Sequence, residues 1–218
     1  MKFNIGNAGF VEIMETFGSD LTVVNAARVS FNKEATEMTA KDAGLIKYLA
    51  THEHTSPFFH PQIRFRMKMP IFVAREWFRH TIGFARNEVS RRYVDEPPEV
   101  WIPVELRERN PSLKQGSKDT TISHDEEYLE LYRKAMDHSM NVYRVMLEAK
   151  VAPEVARAVL PQSMYTEFIE TGSLAAYARL CGLRLDPHAQ KEIREFAEAV
   201  SRCLEPQFPV SWAQLVSP

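Results

Sequence analysis

QIRFRMKMPIFVAREW, residues 62–77, changes its hydrophobic period in mid-stretch. Up to Pro70 the residues alternate, with Ile63, Phe65, Met67 and Met69 on one side of an extended chain and Arg64, Arg66 and Lys68 on the other. That is the pattern of a strand buried on one face. Pro70 then suits the first turn of a helix, where its missing N–H would have had no partner in any case, and IFVAREWFRH continues as that helix. A half-buried strand feeding straight into a helix predicts a mixed α/β class, with a small sheet packed against several helices.

The flanking sequence extends this reading over 1–218 as a single domain. Residues 2–5 and 10–14 read as short strands around a turn at Gly6 to Gly9. Asp20 can cap a helix through about Ala27, with Val23, Val24 and Ala27 apolar, and a second helix spans about Ala40 to Thr51. Val94 to Ser123 is rich in proline and polar residues and reads as a long loop. Ser123 with Glu126 has the capping-box spacing before a long amphipathic helix whose stripe runs through Tyr128, Tyr132, Ala135, Val142 and Met146. A short helix follows Pro153. Another spans about Ser173 to Gly182, where glycine serves as a stop. Asp186 and Pro187 start a last helix with Ile193, Phe196, Ala197 and Val200 inward.

Composition bounds the function. The 218 residues are 44% hydrophobic and 26% charged, enough for one substantial core. The formal net charge of −2 argues against a protein that coats nucleic acid, which needs a basic excess to release counterions. The N-terminal stretch has no apolar run of signal-peptide length, and no eighteen uncharged apolar residues occur in succession. A cytoplasmic protein without a membrane segment is expected. Cys181 and Cys203 fall in helical patterns without CxxC spacing and read as buried thiols. HEH at His52 to His54, with His60 beyond, has no nearby carboxylate or cysteine to complete a ligand set, so no metal site is expected.

One segment departs from this even background. FRHTIGFARNEVSRRY, residues 78–93, gathers arginines with a histidine, a glutamate, an asparagine and a serine. A solvated charged face, a nucleic-acid patch or a pocket for an anionic small molecule would each account for it. On the preceding helix Glu76 lies four residues before His80, so these polar groups share a side while Ile71, Ala74 and Phe78 can face the core. The mixture of guanidinium forks, a carboxylate and hydroxyls suits a ligand with a phosphate, a sugar and a polar ring.

RHTIGFARNEVSRRY resembles the signature of the flavin-dependent thymidylate synthases, RHRxxSxNExSxRY. Arg79, His80, Asn87, Glu88, Ser90, Arg92 and Tyr93 match it. Thr81 stands where an arginine belongs, one residue is inserted before Asn87, and the motif's first serine is missing. The resemblance extends through NAARVSF, PIFVAREWFRH, PEVARAVLP and LRLDPHAQKEI. It implies the thymidylate synthase-complementing protein fold, a homotetramer with shared active sites, and FAD as cofactor. It implies NADPH and methylenetetrahydrofolate as co-substrates and dUMP, methylated at C5, as substrate. A relative acting on UMP, or delivering a hydroxymethyl group, would share the scaffold.

The resemblance also implies residue roles. Arg79, Glu88, Val89, Ser90, Arg91 and Arg92 would bind dUMP with Glu76, at a position where the family often has glutamine. Arg157 would come from a neighbouring subunit, and Arg184 would polarise the uracil at N3, where a fixed cation favours the ionised imide. Ser30, His54, Ser56, Arg79, His80, Thr81, Glu88, Ser173, Arg179 and His188 would contact FAD. No histidine is placed by sequence to activate Ser90, and neither cysteine lies in the signature. Ser90 is therefore expected to position substrate while the flavin carries the chemistry. Arg86 is the candidate to replace the charge missing at Thr81.

Overall fold

The computed structural model describes residues 1–94, 96–112 and 116–216. In chain order the elements are β1 (Lys2–Ile5), β2 (Gly9–Phe17), α1 (Asp20–Arg28), α2 (Ala40–Thr51), β3 (Gln62–Pro70), α3 (Ile71–Trp77) and β4 (Phe84–Glu88). They continue with β5 (Arg107–Arg109), β6 (Ser117–Thr121), α4 (Asp125–Glu148), α5 (Pro153–Ala156), β7 (Tyr165–Ser173), α6 (Leu174–Arg184), α7 (Lys191–Leu204) and α8 (Pro209–Leu215). Among the described residues the main sheet has the order β1-β2-β3-β7-β4, antiparallel throughout, and β5 and β6 form a separate hairpin. The mixed α/β class and the strand-to-helix switch at Pro70 are as the sequence indicates.

Ile63, Phe65, Met67 and Met69 on β3 are buried with Val11, Leu174, Tyr177, Leu180, Ile193, Phe196, Ala197 and Val200 in one continuous core. Phe65 meets Tyr177 edge to face at 5.1 Å, a favourable ring geometry. Cys181 and Cys203 are free and buried in this core.

Strand β7 is absent from the sequence reading, yet it pairs with both β3 and β4. Its inward residues are Thr166, Phe168, Glu170 and Gly172, and only one of these is a large hydrophobe, so the alternation that marks β3 is missing. Gly172 is required by packing: a Cβ there would lie 2.5 Å from the Phe84 ring and 2.9 Å from Tyr177.

Other boundaries differ for identifiable reasons. The span Val94 to Ser123 carries the β5–β6 hairpin and a bridge from Val100 to Met164; the parts of that expectation at 95 and 113–115 lie outside the described residues. Helix α4 begins after His124, at φ 58°, rather than from a Ser123 cap, and Asp125 accepts the Leu106 N–H at 3.0 Å. Leu129 and Tyr143 are its buried positions, whereas Tyr128 and Ala135 are exposed. Helix α6 passes through Gly182 to Arg184. Asp186 accepts the His188 N–H at 2.7 Å in a turn before α7 rather than starting that helix. Helix α8 has no counterpart in the sequence reading. Asp20 caps it instead of its own helix, accepting the N–H groups of Val210 and Ser211 at 2.9 Å each.

Strand β4 is the signature itself, paired along β7 from Phe84 opposite Gly172 to Glu88 opposite Phe168. At its centre Arg86 lies opposite Glu170, which has no exposed surface. The Arg86 guanidinium forms an ion pair with Glu170, and Trp77 Nε1 donates to the same carboxylate at 3.2 Å. Phe78 and Phe84 cover the guanidinium, with centroids at 5.3 and 4.7 Å. Arg86 therefore does not fold back towards Thr81 to replace the missing cation. It neutralises a core carboxylate.

Removing one partner of a buried ion pair leaves the other charged and desolvated, at a cost of about 3 kcal/mol or more. Arg86→Ala should lower the urea unfolding free energy by that order, and pairing Arg86→Met with Glu170→Leu should recover most of the loss. A loss below about 0.5 kcal/mol, the scale of an exposed pair, would contradict this assignment.

Candidate functional site

Helix α3 ends at Trp77, so Arg79 and His80 lie in the turn that follows rather than on its face. Gly83 sits in that turn at φ 83°, a conformation that favours glycine. A Cβ there would lie 2.9 Å from Ala176 and 3.1 Å from Ser173 Oγ, so the turn is seated on the start of α6. Arg179, farther along α6, donates to the Ile82 carbonyl at 2.6 Å. A cation thus approaches the turn next to Thr81, contributed by α6.

Arg184, at the end of α6, is held from two sides. Its Nη1 lies 2.5 Å from Glu76 Oε1, and its Nε donates to His80 Nε2 at 3.0 Å. Glu76 thus reaches His80 through the guanidinium, not by helical spacing. Since Nε2 accepts, the His80 proton sits on Nδ1. Burial and then the Arg184, Arg179 and Arg86 charges push its pKa down to about 4. His80 is neutral at pH 7, an orienting acceptor for Arg184. A cleft of about 1010 Å³ opens here, lined by Glu76, Arg184, His188, Lys191 and Arg194, with Arg107 and Asp119 of the hairpin opposite.

Beyond the far end of β4 lies a second cleft, of about 610 Å³. Glu88, Val89, Ser90 and Arg91 line it, and Arg157, expected from a neighbouring subunit, lines it from the same chain. Thr166 Oγ1 donates to Glu88 at 2.6 Å and so orients the carboxylate. Ser90 Oγ accepts the Arg92 N–H at 3.3 Å, which leaves its own proton free for a ligand. Among the described residues its hydroxyl is hydrogen-bonded to Arg92 alone, and no base is bonded to it. Arg92 is exposed beside the cleft, stacked on Tyr93. Tyr165, Thr166 and Lys68 also line this cleft. They went unrecognised because β7 itself was unread and Lys68 looks like one more cation on a polar strand face.

The remaining residues lie in the Gly83 turn or on the segments after α1 and before β3. Arg79 and Thr81 are exposed, as are Ser56 and His54 nearby in the chain before β3, and Ser30 in a short turn after α1. Phe59, which follows Ser56, packs 3.6 Å from the Gly83 Cβ position. Ser173 departs from its expected role: it is 1% exposed, and its hydroxyl accepts the Ala176 N–H at 3.2 Å as the α6 cap. It shapes the turn without facing a ligand. His52 and His54 pack with Tyr48 as a ring cluster, with centroids 4.1 and 5.8 Å away. Among the described residues no group of three or more His, Cys, Asp or Glu is placed to hold a metal ion. No described helix is long and apolar enough to cross a membrane.

The low His80 pKa has a signed consequence. The unfolded chain takes up the proton near pH 6.5 and the folded one only near 4, so in that window the unfolded state binds more protons and stability rises with pH. The contribution is complete above about 6.5 and lost towards 4. Imidazole NMR should show an Nδ1–H tautomer constant from pH 5 to 8. An ordinary titration near pH 6.5 would refute the assignment.

Comparison with known proteins agrees with this geometry. The family described as thymidylate synthase complementing protein matches residues 12–210. A flavin-dependent thymidylate synthase of Thermus thermophilus is 42% identical over 205 residues, covering 94% of this chain and 74% of that protein. One of Thermosipho melanesiensis is 39% identical over 210 residues, covering 96% and 91%. The crystal structure of a UMP/dUMP methylase, PolB from Streptomyces cacaoi, bound with 5-Br dUMP, superposes with a TM-score of 0.84 at 30% identity, covering 98% of this chain and 99% of that one. With the signature on β4, a buried cap beneath its turn and arginines gathered at both of its ends, the chain belongs to the flavin-dependent thymidylate synthase family.

Proposed function

We propose that this chain converts dUMP to dTMP in active sites assembled between subunits of a homotetramer. The observation that carries the shared site is distance along β4. His80 belongs to the turn before that strand, with Arg184 of α6 bonded to it, and Ser90, Arg91 and Arg157 to the cleft after it. Five extended residues span about 16 Å, and the two groups line separate clefts, which favours a site completed by a second copy. Two copies that bring the first cleft of one against the second cleft of the other would complete the set.

FAD is the cofactor of this family, and the residues around the Gly83 turn fit it. Arg79 is exposed without an ion-pair partner among the described residues, hydroxyls of Ser30, Ser56 and Thr81 lie open, and Ile82 is 67% exposed beside them. Guanidinium and hydroxyl donors suit a pyrophosphate, and the apolar side chain suits a ring system. When bound, the flavin supplies the redox chemistry of the methyl transfer, with NADPH and methylenetetrahydrofolate as co-substrates.

The protein's own groups do the rest. Arg157 and Arg91 offer charge to the phosphate, and Ser90 donates to it. Glu88, fixed by Thr166, accepts from the sugar or the imide. Arg184, fixed by Glu76 and His80, presents its cation to the pyrimidine and favours charge developing on the ring. PolB, described as acting on UMP as well as dUMP, makes UMP a second substrate to assay.

Release of tritium from 5-tritiated dUMP, with NADPH and methylenetetrahydrofolate, tests the activity. Arg184→Ala should lower kcat by about 10²-fold or more, whereas Ser90→Ala, losing one positioning hydrogen bond, should lose about tenfold or less. Mixing inactive Arg184→Ala chains with chains carrying both Ser90→Ala and Arg157→Ala should restore about a quarter of the sites if each site draws on two subunits. No restoration on mixing, with subunit exchange verified, would place the whole site in one chain.

A further inference from the structure

The Arg184 cleft does not end at the hairpin. Arg107, Ser117 and Gln190 line it on one side and on the other line a further open cleft of about 500 Å³, so the two adjoin across these side chains. This second space is an aromatic slot. Phe72 and Trp101 meet edge to face at 5.1 Å on one wall, and Tyr132 and Met136 of α4 form another. Phe72 lies four residues before Glu76 on α3, so the slot begins one helical turn from the residue that holds Arg184.

The polar groups in the slot are fixed. Glu192, 8% exposed, accepts from Arg107 Nη2 and from Gln190 Nε2 at 2.8 Å each. Arg107 is held in turn by the Ser117 hydroxyl at 2.7 Å. A buried carboxylate and two amides, Gln162 and Gln190, therefore edge an aromatic space, a combination that recognises a flat ring bearing an amino group. Along the passage towards Arg184 stand Lys191 and Arg194. Lys191 is paired with Glu105, but the Arg194 guanidinium reaches only the Pro187 carbonyl, at 3.1 Å, and has no carboxylate partner among the described residues. The aromatic slot lies in one of two adjoining clefts, and the free guanidinium and Arg184 line the other.

We propose that these two adjoining clefts bind the adenosine half of the dinucleotide reductant, with the adenine in the Phe72–Trp101–Tyr132 slot, its amino edge towards Glu192 and Gln190, and a phosphate reaching over the shared rim to Arg194. An elongated anion with an aromatic amine at one end matches the order of these groups, and its other end then points to Arg184 and His80, beside the flavin residues. The assignment rests on the reading of the protein as an NADPH-using enzyme.

The test uses the FAD-loaded protein, so that the flavin's own adenine site is occupied, and adenosine 2′,5′-bisphosphate, which has no nicotinamide and cannot reduce the flavin. The probe should quench tryptophan fluorescence, compete with NADPH for flavin reduction, and lose the quench but not calorimetric binding in Trp101→Phe. Arg194→Ala should raise its Kd at least about tenfold, equivalent to about 1.4 kcal/mol, with dUMP affinity and thermal midpoint unchanged. Adenosine 5′-monophosphate binding as tightly as the bisphosphate would point to a general adenylate site and overturn the reductant assignment. Absence of millimolar binding, a quench that persists in Trp101→Phe, or a Kd unchanged in Arg194→Ala would overturn the site. Tritium release from dUMP separates the two readings: release without a functioning slot refutes this inference alone, and no release refutes the enzymatic reading beneath it.

Discussion

Glu170 is a carboxylate with no contact with water, and its need for a partner decides where the signature strand can lie. Arg86 supplies that partner from directly across the sheet, Trp77 adds a hydrogen bond from α3, and two phenylalanine rings exclude solvent. A slip of β4 by one residue would turn Arg86 to the opposite face and strand the carboxylate. Register, not net stability, is what such a pair can enforce, because an apolar pair of equal volume would pack as well or better. With β4 fixed, the turn at Gly83 and the loop at Ser90 are fixed at its two ends, and the candidate ligand groups at 79–81 and 88–92 take their positions from them.

Much of this was legible before any coordinates. The clean alternation at 62–70 and the period change at Pro70 named the sheet and its first helix, and the inward face of α7 was correctly read from Ile193, Phe196, Ala197 and Val200. What escaped was written in residues whose role is relational. Strand β7 buries a threonine, a glutamate and a glycine, each acceptable only because a particular neighbour is present: Glu88, Arg86 and the Phe84 ring. Arg86 likewise looked like one more cation in a cationic run, since nothing in a linear string shows that a carboxylate eighty-four residues away faces it. Asp20 appeared to cap the helix that it begins, whereas the amides it satisfies belong to residues near the other end of the chain.

The departures from the family signature have a common electrostatic reading. Thr81 removes one positive charge, and Glu76 introduces a negative one where the family often has glutamine. Both changes fall around Arg184 and His80. The Glu76 carboxylate offsets part of the Arg184 charge while fixing its direction, and the neutral imidazole takes the other N–H. Arg179 approaches the turn from α6 and contributes to keeping His80 unprotonated.

Asp20 also bears on how the molecule is made. Its carboxylate is 5% exposed and is satisfied by the amides of Val210 and Ser211, residues 190 and 191 positions later in the chain. Until they emerge, α1 cannot bury its first turn without desolvating an unpaired charge. The nascent chain thus carries a built-in delay: the N-terminal helix settles only after synthesis has passed the last core helix, and vectorial folding from the N-terminus is held open until the whole domain is available to close it.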